Sequence, residues 1–398
     1  MEKTLPLKKN AVRTFKNSYL SYFTLYLFYY LSWALFSSLI SVYLLGQGCT
    51  AAQASLVVSA SFLASLLFQP AIGRYADRAG MKKSSTRLLL LAGLSGLLFL
   101  ASRRFWLVLI SYSFVMCLLN GTNPVMEKIC TAAPFPYGRI RIWGTIGYAA
   151  GTQLAGLLHN YVAPGAIFVA FLFTMLVCLA GAQAVEPAET SPDSPVPPEA
   201  PAGFAALFHN RPFVMYLLMA GLFYGATTAS HTFVPALLQA GGMEASLVGT
   251  VLSLAVLCEL PLILFSDRFM DRIPSKTLAL TALVLALVQV AVCALPVPAW
   301  LQVPVLFVSK HPAGMLFIML NLKIVTSLVE PGQLIRALAL VATIKNLTSM
   351  ALSTLTGTLI DAAGYPSAFA GLAVVLGLAL LLLSLSRLPA GPDQKLFS

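Results

Sequence analysis

The stretch "LLFQPAIGRYADRAGMKKSS", residues 66–85, passes from an apolar run into a dense cluster of charge. The charged side chains of this cluster are Arg74, Asp77, Arg78, Lys82 and Lys83. A fainter copy, "LILFSDRFMDRIPSK", returns at 262–276 in the second half of the chain. The same kind of charged turn at equivalent places in two halves predicts an internal repeat.

The composition around these turns is that of a membrane protein. The 398 residues have a mean hydropathy of +0.84, 58% of them are hydrophobic, and only 10% are charged. So few charged side chains cannot cover the surface of a soluble fold of this length. Apolar runs of roughly 20 residues indicate membrane-spanning helices, and the alternating strands typical of a porin-type barrel are absent from the sequence.

The apolar runs divide evenly around one long polar interruption. We predict spans at about 18–44, 52–73, 86–102, 105–126, 140–159, 164–185, 213–240, 246–266, 277–296, 300–328, 334–360 and 366–386. The first run has no small-residue cleavage site, so we expect a retained helix rather than a signal peptide. The interruption is rich in Pro, Ala and acidic residues, which predicts a flexible linker.

The expected architecture is therefore an all-α membrane protein with 12 transmembrane helices in two pseudo-symmetric six-helix bundles. The N-terminal bundle is predicted at 1–184, a cytoplasmic linker at 185–212, and the C-terminal bundle at 213–398.

Lys and Arg are distributed unevenly between the predicted loops. With both termini placed on one side, that side receives the N-terminal segment, the 66–85 turn and the other even-numbered loops, which hold most of the basic residues. The opposite side receives only Arg103 and Arg104. By the positive-inside rule, both termini are cytoplasmic. The net charge of +11 thus reflects orientation in a lipid bilayer, and we expect a monomer that binds no nucleic acid.

The sequence carries no pattern of a cofactor site or of an enzyme. The six cysteines form no CxxC or Cys/His spacing, so neither a metal site nor a disulfide framework is expected. No GxxxxGK[ST] motif is present, so ATP is not expected to drive this protein. A membrane-embedded enzyme or sensor is disfavoured because HExxH and GxSxG are both missing. We expect no catalytic residues and no cofactor.

A few ionisable residues fall inside the predicted spans, namely His231, Glu259, Lys310, His311 and Lys345. An ionisable group at bilayer depth costs several kcal/mol unless it faces a cavity or a partner, so these residues are functional candidates. Structural roles stay open: Glu259 could pair with a lysine to join helices, Lys310 could extend toward lipid headgroups, and His311 could be a packing residue. His231 follows a polar stripe, "YGATTAS", and we expect it to line a cavity.

The charged turn itself, "GRYADRAGMKK" at 73–83, resembles the G-x-x-x-D-R-x-G-x-K-K turn of the major facilitator superfamily. The matching positions include Gly73, Asp77, Arg78, Gly80 and Lys82. The resemblance implies that this turn is a gate between helices rather than a substrate site. Glycines permit close backbone approach there, and an aspartate can cap a helix start or pair with neighbouring cations.

Two longer stretches narrow the resemblance to one branch of that superfamily. The segments "SFLASLLFQPAIGRYADRAGMKK" and "YGRIRIWGTIGYAAG" are similar to the oligosaccharide:proton symporter branch, which includes lactose permease and phenylpropionate-transporter-like relatives. The similarity extends from "YLFYYLSWALF" near the start to "TGTLIDAAGYPSAF" near the end. It implies secondary active transport by two bundles that rock around a central site.

The resemblance also implies roles for single residues. Arg141 corresponds to the arginine that binds sugar hydroxyls, and Tyr148, on the same helix face, to the aromatic residue that stacks on the sugar ring. His311 corresponds to the span-ten histidine of the coupling site and Lys345 to the span-eleven lysine. Glu259 resembles the span-eight acid of the phenylpropionate-transporter-like relatives.

The chain departs from that branch at several polar positions. Asn123 stands where the branch has a sugar-binding acid, and Gly314 where it has an acid one turn after the histidine. The span-nine arginine is missing, with Val288 and Gln289 in that region, and span seven has no acid to pair with Lys345. These departures argue against lactose as the substrate and require a different proton route.

Two transport functions remain open on the sequence. The first is proton-coupled uptake (symport) of a small polar solute, either sugar- or nucleoside-like or a small organic acid, by rocker-switch alternating access across a bacterial cytoplasmic membrane. For it we predict a substrate site of Arg141, Tyr148, Asn123, Lys345 and His231, and a proton-coupling site of Glu259, His311 and Lys310. The alternative is proton-coupled efflux of a drug or metabolite, which the absence of an acid in span one disfavours.

Overall fold

The computed structural model describes residues 15–186 and 204–386, and nearly all of these residues are helical. The first half contains α1 (Tyr19–Ser37), α2 (Ile40–Gly46), α3 (Ala51–Ala79), α4 (Met81–Ala101), α5 (Phe105–Thr131), α6 (Tyr137–Tyr161) and α7 (Ala166–Ala184). The second half contains α8 (Phe204–His209), α9 (Arg211–Ala240), α10 (Ala245–Leu257), α11 (Leu260–Leu264), α12 (Ser266–Phe269), α13 (Ser275–Ala294), α14 (Ala299–Leu328) and α15 (Leu334–Leu385). The start of the predicted N-terminal bundle, residues 187–203 of the predicted linker and the tail from 387 lie outside the described residues.

Local signals explain where several helices begin. The Ser18 side chain accepts a hydrogen bond at the start of α1, and Asn210 does the same at the start of α9. At the start of α3, Thr50 and Gln53 form a reciprocal capping box, which satisfies backbone N–H groups that have no partner within the helix. Gly80 separates α3 from α4. Its φ of +79° is a backbone conformation that glycine adopts without a steric penalty.

The predicted first span is interrupted toward its end, and the predicted eighth span near its middle. The break in the first lies between α1 and α2, and the break in the eighth separates α10 from α11 at Cys258 and Glu259. Pro261 has no N–H to donate, and the turn tightens so that the Glu259 N–H reaches the Val256 carbonyl. The interruption therefore falls on one of the predicted site residues.

Ten helical segments of the described chain are long and apolar enough to cross a membrane, taking α1–α2 and α10–α11 each as one. One of them, α15, has 52 residues and changes direction at Gly364, where φ is +78°. An unbroken helix of that length would be about 78 Å long, far more than the roughly 30 Å of a hydrocarbon core. The predicted total of twelve passes requires both parts of α15 and the less apolar α6 to cross as well, so the count of twelve stays a prediction.

The helices pack into two groups, α1–α7 and α9–α15. In the first group α1 packs on α6 and α7, and α5 on α3 and α4; in the second α9 packs on α15, and α13 on α14 and α15. The groups meet along α6 with α10, α3 with α15, and α2 with α9. The boundaries of the predicted bundles and linker stay a prediction.

One end of the interface between the two groups is closed by close backbone contacts. A Cβ atom on Gly156 of α6 would lie 2.9 Å from the Gly249 Cα of α10, so only glycine fits there. The Asp361 carboxylate on α15 accepts hydrogen bonds from the N–H groups of Ala51 and the next residue of α3, at 2.9 and 2.8 Å. These charge-assisted bonds satisfy free N–H groups at a helix start in the other group.

The opposite end carries the 73–83 turn. Among the described residues, the hydrogen bonds between α3 and α15 lie in the first part of α3, at Ala51, Ala52 and Ser59, and none reaches this end. Gly73 and Gly80 have no neighbouring heavy atom within 4 Å of the position that a Cβ atom would occupy. The molecule is thus closed at the start of α3 and open at its end. With the orientation predicted from the basic loops, the open end faces the cytoplasm.

Candidate functional site

Two adjoining hollows lie between the two helix groups. The larger encloses about 280 Å³, and its lining includes Trp33, Asn120, His231, Lys310, His311 and Lys345. The smaller encloses about 140 Å³ and is lined by Tyr30, Arg141, Gly144, Thr145, Tyr148, Val256, Glu259 and His311. Tyr148 and His311 line both hollows, and their rings lie 6.3 Å apart. They form the partition between the two spaces.

The larger hollow is positively charged. Lys310 and Lys345 both line it, and the described residues of its wall include no aspartate or glutamate. Lys310 is only 6% exposed, so its amine does not extend toward lipid headgroups. The Lys345 Nζ lies 4.9 Å from the centroid of the Tyr224 ring, which provides a cation–π contact. Two ammonium groups in a low dielectric, with no acidic side chain in the described wall, attract anions.

A chain of polar contacts connects the two hollows. The Lys310 Nζ lies 3.1 Å from the His311 Nε2, and the other ring nitrogen, Nδ1, lies 3.7 Å from the Glu259 Oε2. The Thr145 hydroxyl donates to the Glu259 Oε1 at 3.0 Å and thereby joins α6 to the α10–α11 break. The His231 Nε2 lies 3.2 Å from the Lys310 carbonyl, and the two histidine rings stack 5.5 Å apart.

Arg141 has a counter-ion that the sequence analysis missed. Its Nε lies 3.6 Å from the Glu127 Oε1, and its guanidinium lies 5.3 Å from the centroid of the Tyr30 ring. Tyr137 donates to the other oxygen of Glu127 at 2.9 Å. Glu127 follows Asn123 by one helical turn on α5, and this spacing was the available signal because residues four apart share a helix face.

The predicted substrate residues are therefore only partly brought together. Arg141 and Tyr148 line the smaller hollow, whereas Lys345 and His231 line the larger one. The Asn123 side chain accepts a hydrogen bond from Tyr30 at 3.0 Å and is not among the described residues that line either hollow.

The three predicted coupling residues, Glu259, His311 and Lys310, form one connected group as described above. The turn residues Gly73, Asp77, Arg78, Gly80 and Lys82 lie at the open end, away from both hollows.

Near this turn, Asp77 and Lys128 are 3.8 Å apart, and both line a separate hollow of about 290 Å³ between α3 and α5. The candidate transport site is therefore the pair of central hollows, and the turn lies apart from it.

Residues 19–370 match the MFS_1 like family. The chain belongs to this family. It is therefore a major facilitator transporter, a multi-pass membrane protein with an all-helical fold, and its membership is consistent with the resemblance predicted from the 73–83 turn.

Curated relatives of this MFS_1-like chain are transporters. It is 27% identical over 281 residues to the probable 3-phenylpropionic acid transporter of Escherichia coli (strain K12), which covers 68% of this chain and 71% of that protein. It is 24% identical over 396 residues to the sucrose permease of Escherichia coli, which covers 92% of this chain and 93% of that protein. Both lie in the branch that the sequence predicts.

Solved structures support the same fold. The nucleoside transporter NupG matches with a TM-score of 0.75 and 14% identity, over 92% of this chain and 97% of that one. A structure of the peptide transporter POT matches with a TM-score of 0.70 and 12% identity, over 92% of this chain and 94% of that one. The two-group helical architecture is that of these transporters.

Proposed function

We propose that this protein is a proton-coupled symporter that takes up a small organic acid with one carboxylate by rocker-switch alternating access. It acts as a monomer in a bacterial cytoplasmic membrane, with both termini cytoplasmic. The observation that carries the proposal is the pair of lysines, Lys310 and Lys345, in a hollow whose described wall holds no acidic side chain.

The rest of the larger hollow suits the body of such a solute. Its wall includes four aromatic side chains of the first helix group, namely Trp33, Phe62, Tyr112 and Tyr148. Aromatic walls with a few convergent polar groups are typical of small-molecule sites, and about 280 Å³ lies near the lower limit of their usual size. A ring or short hydrocarbon body with one carboxylate fits this chemistry. The similarity to the probable 3-phenylpropionic acid transporter of Escherichia coli supports the same class of substrate.

Glu259 is the proposed proton carrier. It lines the smaller hollow, contacts Thr145 of the first helix group, and faces His311 of the second. A carboxyl group at the interface between the two groups can change its surroundings when the groups rock, which is the requirement for coupling a proton to alternating access. The closed end, held by Asp361 and by the contact of Gly156 with Gly249, is the end that must open in the other state.

Uptake into proteoliposomes with an imposed inward proton gradient tests this function. We expect the wild-type protein to accumulate aromatic or short aliphatic monocarboxylates. Lys345→Met should weaken uptake and raise the half-saturating substrate concentration about tenfold or more, because a charge-assisted contact worth about 1.5–3 kcal/mol is lost. Lys16→Gln is the matched control, since Lys16 is an exposed lysine far from the hollows. No accumulation of any acid would refute the organic-acid substrate.

The Glu259→Gln variant, measured in the same vesicles, tests whether Glu259 carries the proton. Glu259→Gln should abolish accumulation against a gradient and leave exchange of internal for external substrate, because exchange needs no net proton movement. Glu330→Gln removes an exposed acid that lines neither hollow and serves as the control. Full accumulation by the Glu259 variant would rule out Glu259 as the carrier.

A sugar- or nucleoside-like solute is the second candidate. It is favoured by Arg141 beside Tyr148 in the smaller hollow, since a guanidinium can hold two hydroxyl oxygens at once. The sucrose permease of Escherichia coli among the relatives supports this class as well. Competition of unlabelled sugars and nucleosides against the labelled acid separates the candidates, and the direction of net movement separates uptake from efflux.

A further inference from the structure

We propose that Lys310 is the switch that links binding of the substrate carboxylate to protonation of His311. This inference rests on the proposed function, because it requires an anionic substrate in the larger hollow. It gives Lys310 a defined task that its neighbour Lys345 does not share, although both lysines line the same space.

The contacts of His311 fix which of its nitrogens is free. An ammonium group can only donate, so the Lys310 Nζ at 3.1 Å makes the His311 Nε2 an acceptor. The ring is then neutral with its hydrogen on Nδ1, and Nδ1 faces the Glu259 Oε2 at 3.7 Å. In this arrangement Lys310 occupies the nitrogen on which a second proton would be placed.

Other groups surround this pair from each packed helix. Tyr30 faces it from α1, Tyr112 from α5, Arg141 and Tyr148 from α6, His231 from α9 and Lys345 from α15, whereas Glu259 faces it from the α10–α11 break. Apart from Glu259, the ionisable groups among them are neutral or positive. Addition of a proton to His311 is therefore unfavourable while the Lys310 charge is unshared.

A substrate carboxylate changes this balance. When it pairs with the Lys310 ammonium, it neutralises the nearest positive charge and draws the amine away from the His311 Nε2. A proton from the surrounding solution then binds to Nε2, and the Nδ1 proton passes to the Glu259 carboxylate 3.7 Å away, so that Glu259 carries the proton and the His311 ring is neutral again. One negative charge and one positive charge enter together, so the occupied hollow carries the same net charge as before.

Lys345 cannot have this effect through its own contacts. Its Nζ lies over the Tyr224 ring rather than against a histidine nitrogen. A carboxylate bound at Lys345 gains affinity from the charge, but it does not release a titratable nitrogen. The two lysines thus provide a matched pair for testing which of them controls protonation.

Calorimetric titration of the purified protein with 3-phenylpropionate, in two buffers of different ionisation enthalpy at neutral pH, measures the proton count. We expect the wild-type protein to take up about one proton per bound carboxylate. Lys310→Met should bind more weakly and take up almost none, because the state of His311 no longer depends on the ligand. Lys345→Met should bind more weakly as well but keep the wild-type proton count at saturation.

Three outcomes would overturn the inference. The first is saturable binding to the wild-type protein without proton uptake, which leaves the proposed substrate class standing. The second is an unchanged proton count in Lys310→Met, which assigns the coupling to another group. The third is failure of the wild-type protein to bind 3-phenylpropionate, benzoate or any short aliphatic acid, which removes the proposed substrate as well. Melting curves in detergent identify a variant that binds weakly only because it is unfolded.

Discussion

The repeated turn is built differently in the two halves of the molecule. In the first half, Lys128 of α5 lies 3.8 Å from Asp77, and both side chains are largely exposed, at 48% and 76%. In the second half, Lys323 of α14 lies 3.4 Å from Asp271, and both side chains are almost fully buried, at 1% and 4%. The ion pair between a lysine and the aspartate of the turn is thus exposed to water in the first half and buried in the second half.

Burial rather than distance decides what such a pair contributes. The Lys16–Glu186 pair is the shortest of the three at 2.6 Å, yet its side chains are 64% and 50% exposed. Water and salt screen an exposed pair, whereas removal of one partner from a buried pair leaves an uncompensated charge in a low dielectric. The first-half turn can therefore change partners during transport, and the second-half turn holds its bundle together.

The largest effect should follow removal of the buried lysine. Lys323→Met removes the positive charge beside the buried Asp271 carboxylate. It also removes the hydrogen bond that the Lys323 Nζ donates to the Met270 carbonyl. We therefore expect a loss of about 3–5 kcal/mol of stability. Thermal unfolding in detergent measures it. The double variant with Asp271→Leu should regain most of the loss, since replacing both charges removes the desolvation cost. A wild-type melting temperature for Lys323→Met would contradict the contrast between the halves.

The next effect concerns the backbone of the first turn. Gly80 has φ +79°, whereas the equivalent position in the second half is Pro274 with φ −55°. Gly80→Ala should therefore cost about 1–2 kcal/mol, because an alanine side chain disfavours positive φ. Arg78→Ala, two residues earlier in the helical part of the turn, is the control and should change the melting temperature little. Equal melting temperatures of both variants and the wild type would show that the turn relaxes without strain.

A smaller effect is expected for the exposed pair of the first turn. Lys128→Met should change stability by at most about 1 kcal/mol, the upper limit for a solvent-exposed ion pair. We expect the transport rate to change more than the melting temperature, because the proposed rocker-switch motion would change the contacts at the end where Asp77 and Lys128 lie. A destabilisation as large as that of Lys323→Met would erase the proposed difference between the two turns.

The smallest effect should belong to the outermost pair. Hydrogen bonding and charge attraction from Lys16 lower the pKa of the Glu186 carboxyl below its ordinary value. The small stabilisation is present above the ordinary carboxyl pKa and is lost as the pH falls through the lowered value. Lys16→Gln should raise the Glu186 pKa toward its ordinary value, which a carboxyl-carbon NMR titration of Glu186 would show, with almost no change in melting temperature. An unshifted carboxyl in the wild-type protein would contradict this prediction.

Several parts of the site could be predicted from the sequence. Glu259, Lys310 and His311 stand out because ionisable residues inside apolar runs need a cavity or a partner, and the structure brings all three together. The pairing of Arg141 with Glu127 could not be predicted in the same way, since Glu127 follows the predicted end of span four and depends on how α5 packs beside α6. The sequence also predicts a continuous eighth span. In the structure this span is interrupted between α10 and α11, where Pro261 has no N–H to donate.

By itself, the sequence determined the membrane class, the helical spans, the repeat and the family, because hydropathy, length and local motifs are properties of contiguous residues. Only the tertiary structure decided which charges meet: Lys310 with His311, Arg141 with Glu127, and Lys323 with Asp271 in a buried pair. It also decided which end of the interface is closed. The physical reason is that electrostatic partners and burial depend on how separate helices pack, and packing brings together residues whose spacing along the chain carries no trace of their contact.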